Sequence, residues 1–466
     1  MRLQYINLKM NRVAPTSRSS AAYPRKRAVT ACQQQQPTPA LVPSPALHAN
    51  NDSHTASTVT KEPQRPDSLL PENLDTVLKW PILQDVNYQM TQSPDIPSPS
   101  SDNASPAQPS PDGDELNPNM TNAYLDNFFA HVHPKNPVLD EPYIRRLVLC
   151  ANGAITGPLL APSISAEDLR ASPGRRLFTA ALKRTGATLD SAGIVQAQCL
   201  FFAGVYLMSC LRPFDAWRSF LQALASEREL RWELGLPDFG TQISLEPPQR
   251  FPTLPLTNDE EILRAWYFYL SEISLWRLET EIRKDMTTRL SEPDNNGLSD
   301  LADISEIYKQ QLVACLHSLP STVSISDHPC QTPETDVLRF ILQGRSTYIN
   351  ELITWPYIAY AVNDVPLGHT AQGWVSKGLQ AHLERLEVNQ AGFYHRHHGT
   401  WLMILTSARS ACILLAVARS STHDLLPVGW KEAVEATVKM LDFWQADVEG
   451  VAALARFLRH LLSHVA

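Results

Sequence analysis

The chain has 466 residues, a formal net charge of −8 and seven cysteines. At about 150 residues per domain, this length predicts about three units, before composition shows how much of the chain folds. No two cysteines form a C-x-x-C pair, which argues against a compact zinc cluster, and their odd, low number argues against a disulfide framework. We therefore predict an intracellular protein with mostly buried free thiols.

Residues 1–50 are predicted to form a disordered basic arm, because they contain seven Lys or Arg and no acidic residue. Arg25, Lys26 and Arg27 form a short basic cluster, a candidate for a nuclear import signal or for contacts with nucleic-acid phosphates. The same acid-free, Arg-rich start also fits a mitochondrial transit peptide, whereas its interrupted apolar residues do not form a secretory signal. Nuclear and mitochondrial import are therefore alternatives.

Residues 51–119 are predicted to form an acidic, Pro/Ser-rich disordered linker. This segment holds three basic and eleven acidic residues, and 17 of the 36 prolines lie before residue 119. Such a composition does not bury enough apolar surface to offset roughly 1 to 2 kcal/mol of backbone entropy per residue.

Residues 120–466 are predicted to form an all-α body, since apolar residues recur at helical spacing between proline-marked breaks. Clear amphipathic stripes begin at Trp217 and at Ile307, and each is expected to face a core. At this size the body is expected to consist of two lobes that share an interface.

Several boundaries and one long apolar stretch are also predicted. Thr257 and Asn258, each followed three residues later by Glu, are the expected N-caps of one helix, and Pro356 is an expected helix stop or start. The uncharged stretch from Ser191 to Leu211 is long enough to span a membrane. Because it contains glutamines and small residues, we predict a helix buried on all sides and no membrane association.

The sequence contains no P-loop, dinucleotide-binding, nucleophile-elbow or zincin motif, so no enzymatic activity is predicted. His395, His397 and His398 form the densest titratable cluster, but no carboxylate pair or cysteine stands at ligand spacing. We therefore predict no metal site there.

Six segments of the body follow one another in an order that is similar to a known family. They are YLDNFFAHVHPKNPVLDEPYI, VQAQCLFFAGVYLMSCLRPFDAWRSFLQAL, LRAWYFYLSEISLWRLE, LRFILQGRSTYINELITWPYI, RHHGTWLMILTSARSACILLAVA and LPVGWKEAVEATVKMLDFWQ. Together they resemble the middle homology region of fungal binuclear zinc cluster transcription factors of the six-cysteine type. The resemblance covers nearly all of residues 122–460.

The segment RKRAVTAC, which ends at Cys32, resembles the approach to that family's zinc cluster and its first cysteine. In the family six thiolates hold two zinc ions and present a short helix to the major groove. Here QQQQPTPALVPSP follows, so Cys32 is a lone remnant ligand and no cofactor is expected in this chain. Either the true product includes the missing segment and binds zinc, or the cluster is absent.

The resemblance implies a nuclear regulator of RNA polymerase II genes, often a metabolic or secondary-metabolite set, that acts as a homo- or heterodimer with the transcription machinery. Without the cluster, the arm is expected to bind DNA only weakly and without sequence preference. A regulatory pocket lined by Trp266, Tyr267, Trp276 and Trp401 is a further hypothesis. The alternatives are a cluster-less interaction protein that acts by dimerisation or partner competition, and a mitochondrial α-helical protein.

Overall fold

A computed structural model describes most of the body and one earlier segment. The described residues are 70–84, 118–135, 146–156, 168–169, 172–186, 194–220, 222–223, 254–255, 257–291, 298–325, 334–363 and 365–465. The chain divides into two compact units by its contacts. The first unit consists of Met1–Met10 and Pro63–Ala466 and contains all the described residues, and the second, Asn11–Glu62, lies outside them. Of the described residues 78% are helical and none is in a strand, which confirms the all-α fold class.

The helices of the first half are short. They are α1 (Leu74–Leu78), α2 (Pro118–His131), α3 (Arg146–Gly153), α4 (Pro173–Gly186) and α5 (Ile194–Ser209). Short 3-10 turns at Pro81–Leu83 and His133–Lys135 follow α1 and α2, and residues 213–220 are also helical.

The helices of the second half are longer and carry most of the core. They are α6 (Glu260–Ser291), α7 (Leu298–His317), α8 (Val337–Val362), α9 (His369–Asn389), α10 (Thr400–Ala418), α11 (Trp430–Trp444) and α12 (Val451–Ser463).

The buried apolar side chains of the described residues form two clusters, although Pro63–Ala466 belongs to one compact unit and is not divided into two lobes there. The first-half cluster joins α2 to α5, with Phe128 and Phe202 packed edge to face at 5.2 Å. The main cluster joins α1 with α6 to α12, and its largest fully buried side chains include Trp355 and Trp444. Leu211 follows α5 in the chain but packs in the main cluster.

Residues 70–84 differ from the sequence prediction, which placed them in a disordered linker. Leu74, Val77 and Leu78 are buried in the main cluster, and the Trp80 ring lies 5.8 Å from that of Trp355. The Asn73 side chain caps α1 by accepting from the Thr76 N–H at 2.9 Å. The short amphipathic run LDTVL is therefore part of the core, although the composition around it is typical of disorder.

Two long apolar helices are central to packing. Helix α5 is buried on nearly all sides from Ala197 to Leu207, as predicted for the uncharged stretch. Among the described helices, α10 is long and apolar enough to cross a membrane by length and composition, and 67% of that window is buried. Its neighbours in the fold include α1, α5, α8, α9, α11 and α12.

Three local predictions were wrong. Helix α6 is capped by Asp259, whose Oδ1 accepts from the Glu261 N–H at 3.0 Å, and not by Thr257 or Asn258. Pro356 lies inside α8 and does not end it. The first residue of each predicted stripe is exposed, Trp217 by 60% and Ile307 by 53%, although Tyr308 and Leu312 of the second stripe are buried in the main cluster as predicted.

Candidate functional site: a buried ionic cluster

The most unusual chemistry of the described residues is a charged group at the meeting point of three core helices. Glu351 on α8 is fully buried, and it lies against His382 and Arg385 on α9 and Arg409 on α10. We call these four residues the ionic cluster. Helices α8 and α9 approach closely at Gly378, where a Cβ atom would lie 2.9 Å from the Thr354 side chain.

The Glu351 carboxylate is shared between two guanidinium groups. Arg385 donates from Nε to Oε1 at 2.8 Å, and Arg409 donates from Nη2 to Oε2 at 2.8 Å. Arg385 also donates from Nη1 to the Gly344 carbonyl at 3.1 Å. His382 Nδ1 lies 3.0 Å from the Ser410 hydroxyl and 3.7 Å from Glu351 Oε1.

Burial and these neighbours lower the pKa values of Glu351 and His382, which favours the charged form of the carboxyl group and the neutral form of the imidazole. Burial alone would raise the pKa of Glu351, but Arg385 and Arg409 outweigh it and lower that pKa to about 2. Burial lowers the pKa of His382 to about 4, and the attraction of Glu351 opposes this only in part. At neutral pH the cluster therefore contains two guanidinium cations, one carboxylate and a neutral imidazole.

Three polar atoms of the ionic cluster are buried without a hydrogen-bond partner among the described residues. They are Nη2 of Arg385, Nε of Arg409 and Nε2 of His382. Buried N–H groups are normally paired with protein, water or a ligand, since an unpaired one costs about 1 to 3 kcal/mol.

A second group of charges lies beside the ionic cluster, between α6 and α8. Arg345 Nε lies 3.6 Å from Glu272, and its Nη1 lies 3.6 Å from Glu279. Arg283 donates to Glu279 at 3.0 Å and contacts the Tyr348 hydroxyl. Burial raises the pKa of Glu272, although Arg345 opposes the shift, and neither carboxylate oxygen has a hydrogen-bond partner in the described part of the chain.

The four aromatic residues predicted to line a pocket lie on two helices, three on α6 and one on α10. Trp266 and Tyr267 are in edge-to-face contact at 5.0 Å, but Trp276 follows Trp266 on α6 by about 15 Å along the axis. Trp401 is on α10, half-buried against the main cluster, with its Nε1 buried and unpaired within the described residues. Tyr267 also packs on that cluster, as a core side chain does.

The histidine segment before α10 is buried. The rings of His395 and His397 stack at 5.5 Å, and His397 Nδ1 accepts from the Gly399 N–H at 3.0 Å. Burial lowers the pKa of His397 well below its usual value, and the positive charge of Lys135 acts in the same direction. Among the described residues, no group of three or more His, Cys, Asp or Glu side chains is placed to hold a metal ion.

A groove of about 370 Å³ lies between α7, α8 and α9. Its lysines already have partners: Lys309 donates to Asn350 Oδ1 at 2.8 Å, and Lys377 lies 3.6 Å from Glu306 and 3.9 Å from the Trp374 ring centroid. None of the four predicted pocket aromatics lines this groove.

The remaining predicted site residues, Arg25, Lys26, Arg27 and Cys32, lie outside the described residues. Sequence reasoning missed the ionic cluster altogether. The sequence feature that could have indicated it is a charged residue within an apolar helical run, namely Glu351 in INELITW and Arg409 in TSARSACILLAVA.

Comparison of the chain with protein-family models, with curated proteins and with solved structures gives no match.

Proposed function

We propose that the chain is a nuclear regulator of RNA polymerase II transcription whose helical body acts without a zinc cluster of its own. The observation that carries this proposal is the ordered resemblance across residues 122–460. Its quoted segments coincide with α2, α5, α6, α8, α10 and α11, so each supplies a core helix. The gene set is proposed to be metabolic, with secondary metabolism as the example that the resemblance favours.

The body is proposed to act through partners. Because RKRAVTAC is not followed by five further cysteines, this chain lacks the ligands that would fold a base-reading unit. The basic arm would give only weak, salt-sensitive DNA binding, with a dissociation constant of roughly 10⁻⁴ to 10⁻⁶ M. Sequence-specific recruitment would then come from a homo- or heterodimer partner, and the role is regulatory and not catalytic.

Transcript sequencing across the Cys32 to Gln33 junction tests the missing cluster. Reads that insert a segment with five more cysteines would make the full product a zinc-dependent, sequence-specific factor. Reads that join Cys32 directly to Gln33 in every case would assign DNA recognition to a partner.

The subcellular location of the full chain distinguishes the nuclear proposal from the mitochondrial alternative. Both are compatible with the acid-free first 50 residues. A fluorescent fusion is expected to collect in nuclei and to lose that location when Arg25, Lys26 and Arg27 are replaced by Ala. Replacement of Lys9, Arg12 and Arg18 by Ala removes the same charge from the arm and serves as the control. Mitochondrial import with N-terminal cleavage would overturn the proposal.

A tethering experiment tests the regulatory role directly. The full chain is fused to a DNA-binding module of known specificity, and transcription of a reporter carrying that module's site is measured. We expect a change in reporter transcription relative to the module alone. Equal transcription from the fusion and the module would count against a regulatory body.

A further inference from the structure

The ionic cluster carries an excess positive charge inside the core. Arg385 and Arg409 contribute two cations, and Glu351, with its exposed fraction of 0%, contributes one anion. A net charge in a low-dielectric interior is costly unless an opposite charge compensates it. The fully buried neighbour Glu272 is a poor compensating group, because its carboxylate pairs with Arg345 on the α6 side.

The excess charge coincides with unused hydrogen-bond donors. Arg385 Nη2 and Arg409 Nε are both buried, and neither has a hydrogen-bond partner among the described residues. Two guanidinium groups that already converge on one carboxylate thus retain donors for a second acceptor. Guanidinium donors are matched to planar anions, above all to carboxylates, which accept two parallel hydrogen bonds.

The protein also leaves space on one side of the Arg385 guanidinium, next to its Nη1 atom. Gly344 lies in the interior of α8, where glycine is unfavourable compared with alanine. A Cβ atom at this position would have only Arg385 Nη1 within 4 Å, at a distance of 3.8 Å. The missing side chain therefore leaves room next to the Arg385 guanidinium.

This space lies at the edge of the core. Gly344, Tyr348 and Glu351 follow at i, i+4 and i+7 and so share one face of α8. Gly344 and Tyr348 are partly exposed, and the side chain of Arg409 is 11% exposed. This face is the side from which a small molecule can approach the Arg385 guanidinium, and a bound carboxylate reaches the two buried donor atoms only when the arginine side chains adjust.

We propose that Arg385 and Arg409, with the space beside Gly344, bind the carboxylate of a small organic acid. The bound carboxylate supplies the second anion of the cluster and accepts hydrogen bonds from the unused guanidinium donors. This site is separate from the aromatic pocket predicted from the sequence, and it does not depend on the chain being a transcription regulator.

The test uses the full chain and benzoate labelled with ¹³C in its carboxylate. The label is followed by NMR during titration at pH 7 and constant ionic strength, set with sodium chloride. We expect saturable binding of one benzoate per chain and competition by unlabelled acetate. Competition by phosphate but not by acetate would overturn the carboxylate assignment, as would the absence of saturable binding, which would leave ordered water as the partner of the donors.

Two variants locate the site. Arg409→Gln leaves Arg385 and Glu351 as a balanced pair, and it is expected to raise the benzoate dissociation constant roughly 10- to 100-fold by removing charge-assisted hydrogen bonds. Gly344→Ala places a methyl group beside the Arg385 guanidinium at ordinary contact distance, so it is expected to weaken binding at least about tenfold without lowering the melting temperature of the free protein.

Arg459→Gln is the matched control, because Arg459 is a half-exposed arginine whose partner Asp442 is also at the surface. This variant is expected to bind benzoate with unchanged affinity. If all three variants bind equally well, benzoate binds elsewhere and the proposal is wrong. If Arg409→Gln fails to fold, Gly344→Ala still decides, because its only expected defect is in binding.

Discussion

Glu351 is a carboxylate on which the packing of three helices depends. Replacing it with Gln keeps the shape of the side chain but leaves Arg385 and Arg409 without a counter-charge in the core. Because breaking a buried ion pair exposes the cost of the remaining charge, Glu351→Gln is expected to lower the free energy of unfolding by about 3 to 5 kcal/mol. Urea denaturation at pH 7 measures this change.

The control for Glu351 is a surface pair of the same type. Asp442 accepts from Arg459 at 2.7 Å, and both side chains are about half exposed. Asp442→Asn is expected to change the free energy of unfolding by less than about 1 kcal/mol, because water screens an exposed pair. Similar losses in Glu351→Gln and Asp442→Asn would contradict the assigned role of the cluster.

Because of His382, the free energy of unfolding is expected to fall as the pH becomes mildly acidic. Its pKa is about 4 in the folded protein and 6.5 in its unperturbed form, so the unfolded chain binds the proton first as pH falls. The stability contributed by His382 is therefore present above pH 6.5 and is lost progressively as pH falls towards 4. The lowered pKa of Glu351, about 2, adds a further loss below about pH 4.5.

Replacement of His382 should flatten this profile. His382→Gln cannot titrate, so its free energy of unfolding is expected to fall less between pH 7 and 5, by at most about 1.4 kcal/mol per pH unit for one proton. Urea denaturation across this range measures the slope, and His369→Gln, at an exposed position, is the control. A slope unchanged in His382→Gln would show that the imidazole is not held neutral by the core.

Single residues also show the limit of sequence reasoning. Glu351 and Arg409 are charges within apolar helical runs, a signal that would have predicted burial and pairing of each but was not used. Their pairing joins residues 58 positions apart, and Glu351 and Arg385 are 34 apart. Periodicity along one helix contains no information about which neighbouring helix supplies the partner.

At the scale of elements, the start of α6 shows how a cap is chosen among adjacent candidates. Thr257, Asn258 and Asp259 all have side chains that can cap, and the spacing to the glutamates favoured the first two. In the structure Thr257 Oγ1 accepts from the Asp259 N–H at 3.1 Å, which leaves Asp259 to accept from the Glu261 and Ile262 N–H groups. Turn geometry, which spacing does not specify, decided the position.

This assignment predicts unequal effects of alanine at adjacent positions. Asp259→Ala is expected to lower the free energy of unfolding by about 1 kcal/mol, because two N–H groups of the first turn lose their acceptor. Asn258→Ala, the matched control, is expected to change it by less than about 0.5 kcal/mol, as an exposed residue outside the cap. Thermal unfolding of both variants distinguishes the two assignments, and a larger loss in Asn258→Ala would restore the cap predicted from the sequence.

Leu211, just after the end of α5, has a strained left-handed backbone conformation and a side chain that is buried in the core. Leu211 has a φ of 58°, and the chain closes the helix with bonds from the Arg212 N–H to the Leu207 carbonyl and from the Leu211 N–H to the Met208 carbonyl. This is a Schellman arrangement, in which glycine usually occupies the left-handed position. Leucine is used here because its side chain packs in the main cluster.

Two substitutions separate strain from packing at Leu211. Leu211→Ala removes the packing and keeps the strain, so a loss of about 2 to 5 kcal/mol in the free energy of unfolding is expected. Leu211→Gly removes the same packing but relieves the left-handed strain, so it should be about 1 kcal/mol more stable than Leu211→Ala. An alanine variant as stable as the glycine variant in urea denaturation would contradict the strain.

At the scale of the whole molecule, the two apolar clusters meet around the end of α5. Leu211 packs in the main cluster. Arg396 donates a hydrogen bond to the Ser209 carbonyl at 3.5 Å at this point. The same guanidinium forms an ion pair with Asp447 and lies over the Trp444 ring. The sequence predicted two lobes from size alone. It did not predict this joint, because the joint depends on Ser209 and Arg396, which are 187 residues apart.

The main cluster also includes a segment far before the predicted body, and its contribution can be measured in the full chain. Leu74, Val77, Leu78 and Leu83 are each at most 8% exposed, and burial of such side chains stabilises by about 1.5 to 3 kcal/mol apiece. Replacement of residues 70–84 by a Gly/Ser segment of equal length removes these contacts and is therefore expected to lower the free energy of unfolding by at least about 1.5 kcal/mol, the lower value for one such side chain.

The matched control replaces residues 95–109 with the same Gly/Ser segment, because the sequence predicts that this stretch contributes nothing to a core. Its free energy of unfolding in urea should equal that of the unchanged chain. Equal stability of both replacements would mean that α1 is bound to the core too weakly to matter. A selective loss for residues 70–84 would instead move the N-terminal boundary of the folded body from residue 120 to about residue 70, and any truncated form used to study this protein would have to begin before Leu70.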